Sequence, residues 1–131
     1  MTLNSKFGSK IWFVADGWLP PAQEMKNAGL VGHEAIMILN CQDVDAEILM
    51  DIYFEEKDPI EGIPFKVKAK RIKCFHMDQP DEIGGVILER QFQYALRFRS
   101  NIEVIIQYGR LDVTQPNLAY MGMMGMPALE S

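Results

Sequence analysis

The sequence predicts an all-β fold, a single antiparallel β-sandwich, from two observations. Apolar residues recur mostly at every second position, and seven such runs are joined by short, turn-rich connections. At 131 residues, 48% apolar and 24% charged, the chain has the length and composition of one domain with one core. The core is expected over about residues 10–112, followed by a methionine-rich tail, 113–131, that is irregular or helical.

The first runs are residues 10–15 and 33–40. Over residues 46–54, Ala46, Ile48, Met50, Ile52 and Phe54 fall on one face and Glu47, Asp51 and Tyr53 on the other, as in a half-buried strand. Residues 64–69 repeat the pattern, with Phe65 and Val67 inward and Lys66, Lys68 and Lys70 outward, so the two runs are expected to form a hairpin. The apolar phase then slips, which predicts a bulge or bend near Arg71. Residues 71–76, 92–99 and 102–108 complete the set, the last rich in Ile and Val. Loops are expected at 17–32, at 78–85 and at Ser100-Asn101. Residues 86–96 carry a helical alternative, because Val86, Arg90 and Tyr94 stand four apart. In the tail, Pro116 can open a short helix, although Gly122 and Gly125 weaken it by roughly 1 kcal/mol each. Met121, Met123, Met124 and Met126 read either as a frayed end or as a flexible apolar contact with another subunit.

Composition excludes several classes. A net charge of −5 has the wrong sign for a protein whose main partner is duplex nucleic acid. No apolar run approaches a membrane span and residues 1–10 lack the apolar core of a secretory signal, so a cytoplasmic location is expected. The charge is divided: residues 41–60 hold seven acids against Lys57, and residues 61–76 hold five bases against Glu61. These blocks are the two arms of the expected hairpin, which makes cross-strand pairing their default use. Cys41 and Cys74 read as small buried hydrophobes. His33 and His76 belong to no ligand pattern, so no metal site is expected.

No nucleophile elbow, phosphate-binding glycine loop or paired-carboxylate motif is present in the sequence. Polar residues set within apolar runs are the remaining candidates, since each needs a partner if buried: His33, Glu34, Asn40, Arg71, His76, Gln107, Arg110 and Asp112. Neighbouring strand residues face opposite sides, so His33 and Glu34 do not share a pocket unless the strand bulges. Arg110 and Asp112 share a face, with Arg110 placed to anchor a carboxylate or hydroxylated ligand and Asp112 to orient it; a strand-end ion pair is the structural alternative. Trp18 is read as a rigid loop aromatic that stacks on a ligand or on a neighbouring subunit, or caps the core.

The order Trp12-Phe13-Val14-Ala15-Asp16-Gly17-Trp18-Leu19-Pro20, then His33-Glu34 leading to Ile38-Leu39-Asn40, then Asp43 and Asp45 before Ile52-Tyr53-Phe54, resembles the soluble sensory rhodopsin transducer family. Residues 64–71, and Ile105-Ile106-Gln107 with Arg110-Leu111-Asp112 and Gln115, are similar to its later segments. The resemblance covers roughly residues 11–119. It implies a jelly-roll-like sandwich that forms a homotetramer, has no enzymatic activity and no cofactor, and relays a signal from a membrane sensory receptor or responds to a small molecule. The matching positions, taken as a ligand-binding set, are Trp18, His33, Glu34, Arg71, Gln107, Arg110 and Asp112. Three other readings stand beside it. One is a sugar-like small-molecule binding protein. Another is a small sugar-metabolism enzyme using His33 or His76 with Glu34 or Asp112. The weakest is nucleic-acid binding along residues 66–73.

Overall fold

The computed structural model describes residues 7–22, 31–114 and 119–128. Gln115, the proposed helix start at Pro116, residues 129–131 and the 23–30 part of the expected 17–32 loop lie outside the described residues. Eight strands follow in order: β1 (Ser9–Trp18), β2 (His33–Asn40), β3 (Ala46–Phe54), β4 (Ile60–Val67), β5 (Arg71–His76), β6 (Gln93–Asp112), β7 (Ala119–Met124) and β8 (Met126–Pro127). A single 3₁₀ turn, Pro80–Glu82, is the only helical element among the described residues.

All pairing is antiparallel and is organised by β6. The first half of this 20-residue strand pairs with β1 and β3, giving one sheet in the order β4-β3-β6-β1-β8. Its second half pairs with β2 and β7, giving the other in the order β5-β2-β6-β7. The partners change between Ser100, which faces Ile48, and Ile105, which faces Leu39. The expected all-β sandwich is thus present, but Ser100-Asn101 is not a loop. Ser100 Oγ accepts the Ile102 N–H (3.3 Å) and Asn101 Oδ1 accepts the Glu47 N–H (2.8 Å), so the side chains serve the crossing while the backbone stays extended.

The inward faces close over one apolar core. Ile36, Ile38, Ala46, Ile48, Met50, Ile52, Leu96, Phe98, Val104 and Ile106 are all buried. Phe65 of β4 stacks on Phe75 of β5 with ring centroids 4.2 Å apart, and Phe75 lies 6.5 Å from Phe98, so the aromatic rings join the two sheets. The polar groups of Trp12 and Asn40 are satisfied within this core. Trp12 Nε1 donates to the carbonyls of Ser9 and Val104, both at 2.9 Å. Asn40 Nδ2 donates to the Val44 and Val67 carbonyls, and its Oδ1 accepts the Gln42 N–H.

Of the bulge or bend expected near Arg71 the structure has the bend, a tight turn: Lys70 adopts φ +57°, and the chain passes from β4 in one sheet to β5 in the other. Three other local expectations are corrected. Residues 86–92 are irregular, and no helix forms there. The methionine-rich tail is neither irregular nor helical over its described part, because β6 and β1 each have a free side on which β7 and β8 pair. Cys74 is exposed and Cys41 is half-buried, because β5 shows only one face to the core. The acidic and basic arms do face each other as expected: Glu47 stands opposite Lys66, and Lys66 and Lys70 reach Asp45 and Asp43 at 3.6 and 3.3 Å.

Phe98 is fully buried at the centre of the first sheet, whereas Ile72 on β5 is 64% exposed. Phe98→Ala is expected to lower unfolding free energy by about 3–5 kcal/mol. Ile72→Ala should change it by less than about 0.5 kcal/mol. Urea denaturation of the two variants checks the contrast.

Candidate functional site

Glu34 is the second residue of β2 and its side chain has no solvent exposure. Burying a carboxylate is costly unless it is paired and hydrogen-bonded, and here three groups from two strands, β1 and β6, converge on it. The Tyr94 hydroxyl of β6 donates to Oε1 at 2.5 Å, while the Trp18 N–H and Arg110 Nε donate to Oε2 at 3.0 and 3.2 Å. Glu34 stands directly opposite Arg110 in the β2–β6 register, so the pair is built into the ladder. Burial pushes the Glu34 carboxyl above its ordinary value, outweighing the bonds from Tyr94, Trp18 and Arg110 that pull it down. Burial, followed by the Glu34 charge, pushes the Tyr94 phenol well above its usual range.

A bulge in β1 and the glycine that ends it complete the arrangement. One extra residue is accommodated between Val14, opposite Leu96, and Gly17, opposite Tyr94. The bulge includes Asp16, whose carbonyl accepts Arg110 Nη2 at 3.1 Å and whose carboxylate lies 3.7 Å from it. At Gly17 a Cβ would overlap the Tyr94 ring, so glycine lets Tyr94 reach Glu34. Arg110 Nε also donates to the Tyr108 hydroxyl at 2.9 Å. The guanidinium carbon lies 5.5 Å from the Trp18 ring and 5.6 Å from the Tyr108 ring, within cation–π range of both.

Of the expected site residues, Trp18, Glu34 and Arg110 are brought together, and Trp18 ends β1 rather than sitting on a loop. His33 turns away from Glu34, as strand alternation requires, and its ring meets that of His76 edge-on at 5.6 Å. Arg71 is not in the cluster: it pairs with Asn40 at the opposite end of β2, and its Nη1 donates to the Lys70 carbonyl. Gln107 is exposed opposite Met37, three residues along β2 from Glu34. Asp112 does not orient Arg110. Its Oδ1 accepts both the N–H and the hydroxyl of Thr114, which hold its carboxyl below the ordinary value. The residues that fix Arg110 are Glu34, Asp16 and Tyr108.

Neither histidine bonds to Glu34 or Asp112, the partners the enzyme reading requires. His76 Nδ1 lies 3.1 Å from Glu82 and His33 Nδ1 lies 2.9 Å from the Val31 carbonyl. No group of three potential metal ligands occurs among the described residues.

A second buried carboxylate was not legible from the alternation, which placed Asp51 on the solvent side. Asp51 is fully buried, and Arg97 Nε donates to its Oδ2 at 2.8 Å while Arg99 Nε and Nη2 reach Oδ2 and Oδ1 at 3.0 and 2.9 Å. A bulge in β4, where Gly62 takes φ +79°, frees the Gly62 N–H to donate to Oδ1 at 2.9 Å. Burial raises the Asp51 carboxyl, but the bonds from Arg99, Gly62 and Arg97 together hold it below its ordinary value.

The fold and the cluster define an all-β sandwich module whose buried polar centre is a carboxylate–guanidinium pair flanked by aromatic rings. The model of the Anabaena sensory rhodopsin transducer family matches residues 7–127, and the chain belongs to that family. A crystal structure of Thermotoga maritima 1070 is similar, with a TM-score of 0.79 and 26% identity over 95% of this chain and 98% of that one. The Anabaena sensory rhodopsin transducer is similar with a TM-score of 0.69 and 28% identity, over 82% of this chain and 92% of that one. No curated protein gives a significant sequence match. Among the described residues no helix is long and apolar enough to cross a membrane.

The two carboxylates should respond oppositely to pH. A raised folded-state value means that the folded protein binds a proton more tightly than the unfolded chain, so Glu34 costs stability as pH rises above its ordinary 4.5. Apart from a constant offset, Glu34→Gln should therefore gain on wild type with rising pH from 4.5 until folded Glu34 is ionised; a difference independent of pH would contradict this. Asp51 works the other way: its contribution is present above 3.8 and is lost as pH falls through its lower folded value. The deficit of Asp51→Asn relative to wild type should thus shrink in that acid range, measured by denaturation across pH.

Proposed function

We propose that this protein is a non-enzymatic signalling module that works in the cytoplasm as a homotetramer and docks a partner protein, with a membrane sensory receptor as the candidate that the Anabaena relative's name indicates. The observation that carries the reading is the outer face of the β4-β3-β6-β1-β8 sheet. Ile11 and Phe13 of β1 are each 40% exposed there, Leu49 of β3 stands in the same cross-strand row as Ile11, and Met126 of β8 stands opposite Phe13. Between them lie Arg97 and Arg99, which share the single buried carboxylate of Asp51. An apolar face whose arginines are already held by a buried acid is less costly to desolvate than one carrying free charges, which suits contact between subunits or with a partner.

A small ligand finds its best place beside Arg110, where Trp18 supplies an apolar wall and Nη1 makes no bond among the described residues. A carboxylate or hydroxylated compound fits that donor. Neither histidine partners Glu34 or Asp112 as the sugar-processing enzyme reading requires, and the one histidine–carboxylate pair among the described residues, His76 with Glu82, is solvent-exposed, so the binding role is favoured.

Light scattering at micromolar concentration is expected to give about four times the 15.0 kDa chain mass, and Phe13→Glu should shift the population towards the monomer. A wild-type monomer of 15.0 kDa would overturn the oligomer. Titration with sugars and small carboxylates, followed by tryptophan fluorescence, tests the ligand site; a response that survives Arg110→Lys unchanged would place the ligand elsewhere.

A further inference from the structure

A cleft of about 360 Å³ opens on the far side of Tyr94 from the Gly17 bulge, between the end of β3 and the segment leading into β6. That volume lies at the low end of the range for small-ligand sites. Its walls are apolar and aromatic, formed by Phe54, Leu88, Phe92 and Tyr94. Its charged lining is Glu55, Glu56 and Glu89 against Lys57, an excess of two negative charges.

The cleft already shows how it receives a cation. Lys57 Nζ lies 4.3 Å from the centre of the Phe54 ring, inside the distance at which an ammonium group is held by an aromatic face. A second ring, that of Phe92, lines the same cleft and is 61% exposed, a large apolar surface left in water. Lys57 is itself exposed and is tethered by a flexible stem, so it is a displaceable occupant of the Phe54 face.

We propose that this cleft binds a small organic cation bearing an ammonium or guanidinium group, with its charge over the Phe54 and Phe92 rings, its stem against Leu88 and its counter-charge supplied by Glu55, Glu56 and Glu89. Lys57 competes with the ligand for the Phe54 face. The cleft lies on the other side of Tyr94 from the Gly17 bulge and the Arg110 donor, which selects the opposite charge.

Titration with agmatine, cadaverine and tetramethylammonium, with glutarate as the anionic control, tests the site through backbone amide shifts. Saturable shifts confined to residues 54–57 and 88–94 are expected with the cations and not with glutarate. Phe92→Ala and Glu89→Gln are at exposed positions and should each weaken agmatine about fivefold. Lys57→Gln should tighten it about fivefold by removing the competitor. Lys68 follows β4 next to the end that pairs with Ala46, at the opposite end of the hairpin from Phe54, so Lys68→Gln removes the same charge without changing agmatine affinity. The proposal is overturned by an absence of saturable shifts, by an equal response to glutarate, or by Lys57→Gln and Lys68→Gln acting alike. A response to lysine-rich peptides but not to the free amines would also overturn it.

Discussion

Every other strand depends on β6 for its place. β1, β2, β3 and β7 pair with it directly, and β4, β5 and β8 reach it through β3, β2 and β1. A strand in the middle of a sheet must satisfy hydrogen bonds along both edges, and β6 does so over 20 residues by exchanging both partners near its midpoint. That exchange sets the relation between the two sheets, and with it the depth of the core between Phe65, Phe75 and Phe98.

The same strand supplies the cations for both buried carboxylates. Glu34 on β2 stands opposite Arg110, and Asp51 on β3 stands opposite Arg97, so each half of β6 carries an arginine facing an acid on its neighbour. In each case a bulge on another strand turns backbone groups towards the pair: Asp16 in β1 serves Arg110, and Gly62 in β4 serves Asp51. The energetic settings differ. Glu34 receives one guanidinium contact and a phenol, and its burial prevails; Asp51 receives two arginines, and its ionised form prevails. The first is a centre whose charge is held at some cost, and the second is a fixed charge that quiets an outer face.

Much of this was legible in the residues. Strict alternation over 46–54 and 64–67 placed the hairpin, and the opposed charge blocks on its arms gave its pairing. Glu34 and Arg110 stood out as charges set among apolar neighbours, which is why the centre of the site could be named. Alternation alone misplaced Asp51, because a position on the outer face becomes buried when two long arginine side chains fold over it. Tyr94 carried no signal, since its hydroxyl has a role only when the Gly17 bulge brings β1 against it. Ser100-Asn101 imitated a loop because both are turn-favouring residue types; Ser100 does make a local bond to the Ile102 N–H, but Asn101 spends its side chain on the Glu47 N–H of a neighbouring strand. Arg71 was grouped with the site as a polar residue among apolar ones and by resemblance, and Asp112 also because alternation puts it on one face with Arg110, but strand register separates the first by the length of β2 and Thr114 engages the second.

The position of β6 in the chain has a consequence for biosynthesis. During translation β1, β2 and β3 leave the ribosome before β6 is made, and until then none of them has the neighbour that joins it to the rest. Trp12 waits for Phe98, and Glu34 waits for Arg110, with intervening stretches that span most of the domain. Such a topology closes late and slowly, since long loops must be ordered before the pairing that rewards them. The nascent chain therefore carries open strand edges on β1, β2 and β3 through much of its synthesis, whereas the lysines and arginine of residues 66–73 charge β4 and β5, the strands that remain at the sheet margins in the finished fold.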